Sequence, residues 1–292
     1  DVHPRVGLNA VDPARSPNTL TRPAHRQQGD PSESTPMRII SGKHKGKKLT
    51  PPPDSKTTRP ITDRVKESVF NLLRGHWEGA HVVDLFTGTG SIGLEAYSRG
   101  AARVLMVEKD RKIARIVQRN IEAVGNPAAC DLLIGDALGP AALSRAPTPV
   151  NILFADPPYP LVRDPDGWQR VRGQFVRMID LMTFEGFAVL RTPWPFLHAT
   201  DRGATPTGAR RTGSGERASS PKSVTIDLAN IDDEAMDRIE AEFLRGAHAD
   251  RYTPVDLALE NAVGPETHVY GSTAVHLYMR RRSEPVQPAE DA

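Results

Sequence analysis

The sequence has little of what several common protein classes require. Cys130 is the one cysteine in 292 residues, so a disulfide framework and a cysteine-based zinc cluster are excluded and a reducing compartment is favoured. No run of 18 apolar residues occurs, and the N-terminal stretch has no apolar core like that of a secretory signal. Basic residues exceed acidic ones by only two, 38 against 36. We therefore expect a soluble, cytoplasmic protein, a monomer that needs no metal.

Shifts in composition divide the chain into parts. Residues 1–36 contain six prolines and no periodic apolar pattern, which predicts a disordered extension. Residues 37–60 form a basic arm, and residues 61–282 form the main domain. Within that domain, residues from about 193 to 272 read as an insert, because a stretch rich in Gly, Ser, Thr, Pro and Arg interrupts the pattern. Residues 283–292 are predicted to be a disordered tail.

The positive charge of this nearly neutral chain is concentrated in the arm. Residues 37–66 contain nine basic and two acidic side chains, and residues 38–49 have the pattern of a β-hairpin with a basic tip. Clustered Lys and Arg bind the phosphates of nucleic acids, although a solvated surface loop has the same composition. The candidate RNA-binding residues are Arg38, Lys43, Lys45, Lys47, Lys48 and Arg59.

From residue 62 onward, short apolar strands alternate with amphipathic helices. This alternation predicts an α/β fold with a doubly wound, mostly parallel sheet that helices cover on both faces. The predicted strands are 81–86, 103–107, 132–134, 151–155, 187–190 and 273–279. The predicted helices are 62–73, 91–99, 110–124 and 168–182.

The first candidate site lies where the first strand meets a helix, at residues 84–90 (DLFTGTG). With Gly93, the glycines Gly88 and Gly90 have the spacing of a dinucleotide-binding loop, so a nicotinamide cofactor is one interpretation. The carboxylate of Asp84 instead favours a ligand that carries a cation, such as the amino group and sulfonium of S-adenosylmethionine. A tight turn that binds no ligand is the third interpretation.

Two further carboxylates follow the next two strands. Glu108 lies 24 residues after Asp84, near the distance at which an acidic residue binds ribose hydroxyls in nucleotide-binding folds. Asp136 follows the third strand and can accept a hydrogen bond from an adenine amine, or it can simply belong to a turn.

The second candidate site is Asp156, Pro157, Pro158 and Tyr159, after the apolar strand 151–155. Prolines lack N–H groups and keep the chain extended, so we expect the local carbonyls to be unpaired. A carboxylate beside a free carbonyl accepts both hydrogens of an exocyclic amine, and Tyr159 offers a face for a displaced base. The residues therefore predict methylation of an amine nitrogen.

These motifs resemble known proteins. Residues 84–90 and 156–159 are similar to the cofactor and catalytic motifs of methyltransferases that modify exocyclic or amide nitrogens. More narrowly, residues 38–42 (RIISG), 46–49 (GKKL), 59–67 (RPITDRVKE) and 274–278 (AVHLY) resemble the RsmD family, bacterial methyltransferases of the guanine 2-amino group in 16S ribosomal RNA. The resemblance covers residues 37 to about 192 and 273–281.

The resemblance implies a seven-stranded Rossmann-like domain that uses S-adenosylmethionine and acts on 16S RNA or the small ribosomal subunit. It implies that Asp84, Gly88 and Gly90 bind the methionine part of the cofactor, Glu108 the ribose and Asp136 the adenine. Thr62 and Arg64 would border the cofactor pocket, and residues 156–159 would bind the target amine. The alternatives are a DNA adenine methyltransferase and a noncatalytic RNA-binding assembly factor.

Overall fold

The alternating pattern folds into one central sheet with helices on both of its faces. The computed structural model describes residues 37–53, 62–124, 128–199 and 252–282. The helices are α1 (Asp63–Leu72), α2 (Ser91–Ser98), α3 (Arg111–Val124), α4 (Pro140–Arg145), α5 (Tyr159–Arg163) and α6 (Pro165–Ile179). The strands are β1 (His81–Leu85), β2 (Arg103–Glu108), β3 (Cys130–Ile134), β4 (Val150–Ala155), β5 (Met182–Pro193), β6 (Leu197–Ala199), β7 (Tyr252–Pro254), β8 (Ala262–Tyr270) and β9 (Thr273–Arg280).

Seven strands form the main sheet in the order β3-β2-β1-β4-β5-β9-β8, and β6 pairs with β7 in a separate ribbon. Strands β1 to β5 run parallel to one another, whereas β9 is antiparallel to both β5 and β8. The predicted fold class, a doubly wound and mostly parallel seven-stranded sheet, is confirmed. Because parallel strands end at the same edge, the segments that follow β1, β2, β3 and β4 lie together at the carboxyl edge of the sheet.

Successive strand residues enter two different apolar cores. Val82 belongs to the core on the face that α1, α2 and α3 cover, and Val83 belongs to the core under α4 and α6. Ile39 and Leu49 of the N-terminal arm are buried in the first core. The arm therefore packs on the same face as α1, α2 and α3.

Local sequence signals explain most element boundaries. The Thr62 hydroxyl accepts from the Val65 amide at 3.3 Å and caps α1. The Asp164 carboxylate caps α6 at the Gly167 amide, 2.7 Å away, and Pro165 occupies the first helical position. Because of this cap, α6 begins at Pro165 and not at the predicted residue 168. The helix ends at Ile179 and not at the predicted residue 182.

The sequence pattern assigns residues 262–270 to the insert, whereas in the structure they form β8, the edge strand of the main sheet. The strand pairs with β9, carries Gly264 and Pro265, and has a register shift between Val263 and Glu266, so the apolar alternation of a strand is missing.

The arm contains one isolated antiparallel bridge, between Arg38 and Lys48. Its described residues form no strand of more than this one bridge. The predicted extension 1–36, most of the insert (200–251), Arg59 and the tail 283–292 lie outside the described residues.

No helix in the described ranges is long and apolar enough to cross a bilayer. No group of three or more His, Cys, Asp or Glu side chains in those ranges has the arrangement of a metal site.

Candidate active site

The two sequence motifs meet at the carboxyl edge of the sheet. Strands β1 and β4 are parallel neighbours, with Leu85 opposite Ala155, and the Asp156 amide donates to the Leu85 carbonyl at 3.4 Å. A small cavity opens between them. Its lining includes Asp84, Asp156 and Arg191 together with apolar side chains from α1, α2, β4, β5 and β9. The cavity thus combines two carboxylates and one guanidinium with apolar walls.

Asp84 lies at the floor of this cavity and is only 1% exposed. Its Oδ2 accepts from the Thr87 hydroxyl at 2.5 Å and from the Gly93 amide at 2.9 Å. Among the described residues, no donor is bonded to Oδ1. Burial raises the pKa of Asp84 from 3.8 to about 7, with the two hydrogen bonds opposing the rise. A buried carboxylate with one free oxygen and a raised pKa is stabilised by a cationic ligand.

The turn after Asp84 requires left-handed backbone angles. Phe86, Gly88 and Gly90 have φ values of 60°, 57° and 83°, which favour glycine at two of the three positions. A Cβ at Gly88 would have nothing within 4 Å. The open space beside Gly88 leaves room for a ligand to approach the backbone.

Glu108, at the end of β2, joins the glycine-rich turn to α3. Its Oε2 accepts from the Gly88 amide at 3.0 Å, and its Oε1 accepts from the Asp110 amide at 2.8 Å. Burial raises the pKa of Glu108. Each carboxylate oxygen has two lone pairs, so both oxygens can still accept from a pair of vicinal hydroxyls.

Asp136 lies one strand further out, after β3. Its Oδ1 accepts from the Leu138 amide at 3.0 Å, and Arg170 lies 3.7 Å from Oδ2. The sheet order places Asp156, Asp84, Glu108 and Asp136 at the carboxyl ends of four adjacent strands. At about 4.8 Å between strands, this acidic row is about 14 Å long.

Thr62 and Arg64 belong to the start of α1, and both are exposed. Thr62 acts as the helix cap, and the Arg64 carbonyl accepts from the Ser68 hydroxyl. Val69 of the same helix lines the cavity, whereas neither Thr62 nor Arg64 does. The structure therefore brings α1 to the cavity but leaves these two side chains outside its lining.

Asp156 is paired with Arg191, which lies near the end of β5. The Arg191 Nε donates to the Asp156 Oδ1 at 2.6 Å, and the Arg191 and Asp156 side chains are 13% and 25% exposed. Burial raises the pKa of Asp156, and the positive charge of Arg191 opposes that rise. The guanidinium thus favours the ionised carboxylate and orients it.

Tyr159 begins α5 beside this pair. Its hydroxyl donates to the Thr273 hydroxyl at 2.6 Å, and its ring centre lies 5.6 Å and 5.8 Å from the guanidinium carbons of Arg163 and Arg191. The Pro158 carbonyl accepts from the amides of the first turn of α5 at 2.9 Å and 3.3 Å. The expectation that both proline carbonyls are unpaired is wrong for Pro158, because the helix that starts here uses its carbonyl.

The basic arm is attached to the domain by a buried carboxylate, Glu95 of α2. Its two oxygens accept from the Ile40 and Ser41 amides at 2.7 Å and 2.9 Å. Arg99 also donates to Glu95 at 3.0 Å, and the buried Lys66 ammonium lies 3.6 Å from it. Burial lowers the pKa of Lys66, while Glu95 opposes the change. The arm is therefore held by specific hydrogen bonds.

The other end of the arm is bonded to α3. The Asn120 side chain accepts from the Thr50 amide at 2.7 Å and donates to the Thr50 carbonyl at 3.2 Å and the Thr89 carbonyl at 2.9 Å. Thr89 belongs to the glycine-rich turn, so one amide joins the arm to the candidate cofactor site. The predicted RNA-binding side chains within the described arm are all exposed, and none is in an ion pair there: Arg38, Lys43, Lys45, Lys47 and Lys48.

Sequence reasoning missed Arg191, Glu95, Lys66 and Asn120. The signal for Arg191 was a charged residue directly after the apolar run 187–190, at a strand end next to β4. The other three carried no local signal, because each is a polar residue on an amphipathic helix whose partner lies 28 to 70 residues away along the chain.

Known proteins share part of this sequence. A family model described as Conserved hypothetical protein 95 matches residues 37–173. The chain is 39% identical over 140 residues to Ribosomal RNA small subunit methyltransferase D of Escherichia coli K12, an alignment that covers 48% of this chain and 66% of that protein. It is 33% identical over 134 residues to the protein of the same name from Haemophilus influenzae, covering 44% of this chain and 67% of that protein. The matched part thus spans about two thirds of the length of these relatives.

Two solved structures share the fold. The Escherichia coli protein yhhF superposes with a TM-score of 0.53 at 22% identity, covering 84% of this chain and 98% of that one. A hypothetical protein of Thermus thermophilus gives a TM-score of 0.50 at 22% identity, covering 82% of this chain and 97% of that one. At this level of identity the two likenesses establish the fold.

Proposed function

The chain belongs to the ribosomal RNA small subunit methyltransferase D family, and from that membership we propose that it methylates the 2-amino group of a guanine in 16S ribosomal RNA, with S-adenosylmethionine as the methyl donor. The observation that carries the proposal is the pairing of Asp156 with Arg191 at the cavity beside Asp84. This arrangement combines an acceptor for an amine with an acidic, buried place for a cation.

The residues at the carboxyl edge of the sheet suit S-adenosylmethionine. Asp84, with its free oxygen and raised pKa, would bind the ammonium of the methionine part, and the open space at Gly88 and the turn at Gly90 would accommodate its backbone. Glu108 would accept from the ribose hydroxyls, and Asp136 from the adenine amine. When bound, S-adenosylmethionine supplies an electrophilic methyl group to an amine nitrogen.

The protein's own contribution is to orient the amine and exclude water. The Asp156 carboxylate and the Pro157 carbonyl would accept the two hydrogens of the amine, which directs the nitrogen lone pair at the methyl group. Since burial raises the pKa of Asp156, the same carboxylate can take the proton that the nitrogen loses. Tyr159 would stack on the guanine. Such a reaction depends on proximity and desolvation.

The basic arm supports ribosomal RNA as the substrate. Five exposed cations lie on a segment that Glu95 and Asn120 fix to the domain, and a fixed basic segment suits a folded polyanion. The proposal includes 16S RNA, free or in the small ribosomal subunit, as the partner of a cytoplasmic monomer.

The proposal is tested by methyl transfer from labelled S-adenosylmethionine to three substrates: small subunits from cells that lack the enzyme, naked 16S RNA, and duplex DNA. We expect label in 2-methylguanosine from one or both RNA samples. Label only in DNA adenine would contradict the RNA assignment, and no label in any sample would contradict the enzymatic one.

A variant pair tests the role of Asp156. We expect Asp156→Ala to abolish transfer while cofactor affinity, measured by calorimetry, stays within about tenfold of wild type. Asp131→Ala is the matched control, because Asp131 is a half-exposed aspartate paired with Arg145 at 2.7 Å, away from the cavity. Equal loss of binding and turnover in Asp156→Ala would contradict its assignment to the amine.

A further inference from the structure

The outer face of α3 carries a row of cations that the proposed site does not use. Residues 109–124 contain five basic and two acidic side chains. Arg111, Arg115 and Arg119 recur at every fourth residue, so they share one side of the helix. These three side chains, together with Lys109 and Lys112, are exposed.

None of these five cations is in an ion pair or a side-chain hydrogen bond with a described residue. The two acidic residues nearby are engaged elsewhere. Asp110 accepts from the Lys112 and Ile113 amides at 2.6 Å and 3.2 Å and caps the helix, and Glu122 accepts from Gln118 at 3.2 Å. The row thus has no ion-pair partner in the described part of the chain.

The arrangement opposes helix stability. Arg111 and Lys112 lie in the first turn, where the helix dipole disfavours cations, and the last turn has no basic residue. Like charges four residues apart repel one another. A pattern of cations that costs helix stability and has no ion-pair partner among the described residues indicates an anionic partner from outside the domain.

The row also runs between the two parts of the molecule already assigned to RNA and cofactor. Its first members follow Glu108 and Asp110, at the carboxyl edge of the sheet. Its last member, Arg119, precedes Asn120, which is bonded to Thr50 of the arm and to Thr89 of the glycine-rich turn. From Arg111 to Arg119 the helix rises about 12 Å, so the row extends from the rim of the site to the arm.

We propose that this α3 basic row, formed by Lys109, Arg111, Lys112, Arg115 and Arg119, is a second RNA-binding surface that contacts the phosphate backbone of the ribosomal RNA whose guanine enters the site. The inference rests on the proposed function for the identity of the RNA. Its own content is that RNA crosses α3 between the cavity and the arm. Phosphates are the occupant because exposed, unpaired arginines in a row match a regular series of anions.

The test measures binding of the full-length protein to 16S RNA between about 50 and 200 mM salt. The salt slope is the magnitude of the change in log K with the logarithm of the salt concentration, and each lost phosphate contact lowers it by about 0.7 to 0.9. We expect Arg111→Gln with Arg115→Gln to lower the slope by about 1.4 to 1.8 and to weaken binding by more than about tenfold. Arg111→Lys with Arg115→Lys keeps the charge and should retain the wild-type slope. The matched control is Arg74→Gln with Arg103→Gln, two exposed arginines outside the row.

Unfolding cannot imitate the expected result, because removing repelling charges should leave the thermal midpoint of the glutamine pair equal to or above wild type. The same slope in the glutamine pair and in the Arg74/Arg103 control would overturn the proposal, and so would a slope change confined to duplex DNA. If wild type shows row-dependent RNA binding but labels no guanine, the proposed function fails and the surface stands. If wild type labels guanine and the row is without effect, the surface fails and the function stands.

Discussion

Replacing Asp84 with asparagine should stabilise the protein while it removes cofactor binding. The carboxylate is 1% exposed, and burial raises its pKa from 3.8 to about 7. At 1.36 kcal/mol for each pH unit, that rise corresponds to about 4 kcal/mol of destabilisation when the group is ionised. Asparagine has nearly the same shape, and its Oδ1 can still accept from Thr87 and Gly93. It carries no charge to bury.

The pH dependence follows from the direction of the shift. Between pH 3.8 and about 7 the native protein holds a proton on Asp84 that the unfolded chain has lost. The contribution of the protonated Asp84 to the free energy of unfolding is therefore complete at low pH and is lost as the pH rises through about 7. The advantage of Asp84→Asn over wild type should fall from about 4 kcal/mol at pH 8 to less than about 2 kcal/mol at pH 5.

The assay is urea unfolding of both proteins at pH 5, 6, 7 and 8 without cofactor. Asp131→Asn, at a half-exposed and paired aspartate, is the control, and its effect should stay within about 1 kcal/mol. Saturating S-adenosylmethionine should then stabilise wild type by about 3 kcal/mol at one hundred times its Kd and leave Asp84→Asn unchanged. An advantage of the variant that is the same at every pH, or no advantage at pH 8, would refute the account of Asp84 as a buried charge that a cationic ligand stabilises.

Three further predictions concern the residues that sequence reasoning missed or could not place. Arg191→Gln removes the charge that favours ionised Asp156, so the acidic limb of the plot of activity against pH should move to higher pH. Arg191→Lys keeps the charge and should leave that limb in place. An unmoved limb in the glutamine variant would show that Arg191 has only a structural role. Glu95→Gln removes the carboxylate 3.6 Å from the buried Lys66 ammonium and leaves that charge, among the described residues, with only the Arg38 carbonyl, 3.0 Å away. The substitution should cost about 3 to 5 kcal/mol in urea unfolding, part of which Lys66→Met should restore in the double variant. Gly42→Ala should destabilise the protein by about 1 kcal/mol more than Gly46→Ala does. Both positions have φ above +80°, but a Cβ at Gly42 would lie 1.9 Å from the Ser98 carbonyl oxygen, whereas a Cβ at Gly46 would have nothing within 4 Å. Equal unfolding midpoints for the two variants would show that the arm shifts freely away from α2.

The fold and the two motifs were predictable because their signals are local. Each strand from β1 to β4 is an apolar run bounded by polar or glycine residues, and a parallel sheet brings the ends of such runs to one edge whatever their order. Asp84 and Asp156 could therefore be assigned to one site from sequence alone. The role of Gly88 and Gly90 was visible for the same reason, since only a turn with left-handed angles needs glycines so close together.

The rest could not be predicted, because it depends on which elements become neighbours. Arg191 meets Asp156 only because β5 pairs with β4 with Leu190 opposite Ala155. Glu95 meets the amides of Ile40 and Ser41 across 55 and 54 residues of chain. β8 is an edge strand, interrupted at Gly264 and Pro265, so its residues lack the apolar alternation that identifies a half-buried strand.

Separation of charge explains how one small domain can serve a cationic cofactor and an anionic substrate together. The acidic row that runs from Asp156 to Asp136 occupies the carboxyl edge of the sheet, whereas the unpaired cations lie on the arm and on α3. A phosphate at the edge would be repelled by the row, so only a neutral base can reach Asp156 while its own phosphate stays with the cations. Under the proposed function, the target guanine would therefore leave its stack and extend away from the backbone, which would make an unpaired nucleotide in a loop a better substrate than one inside a helix.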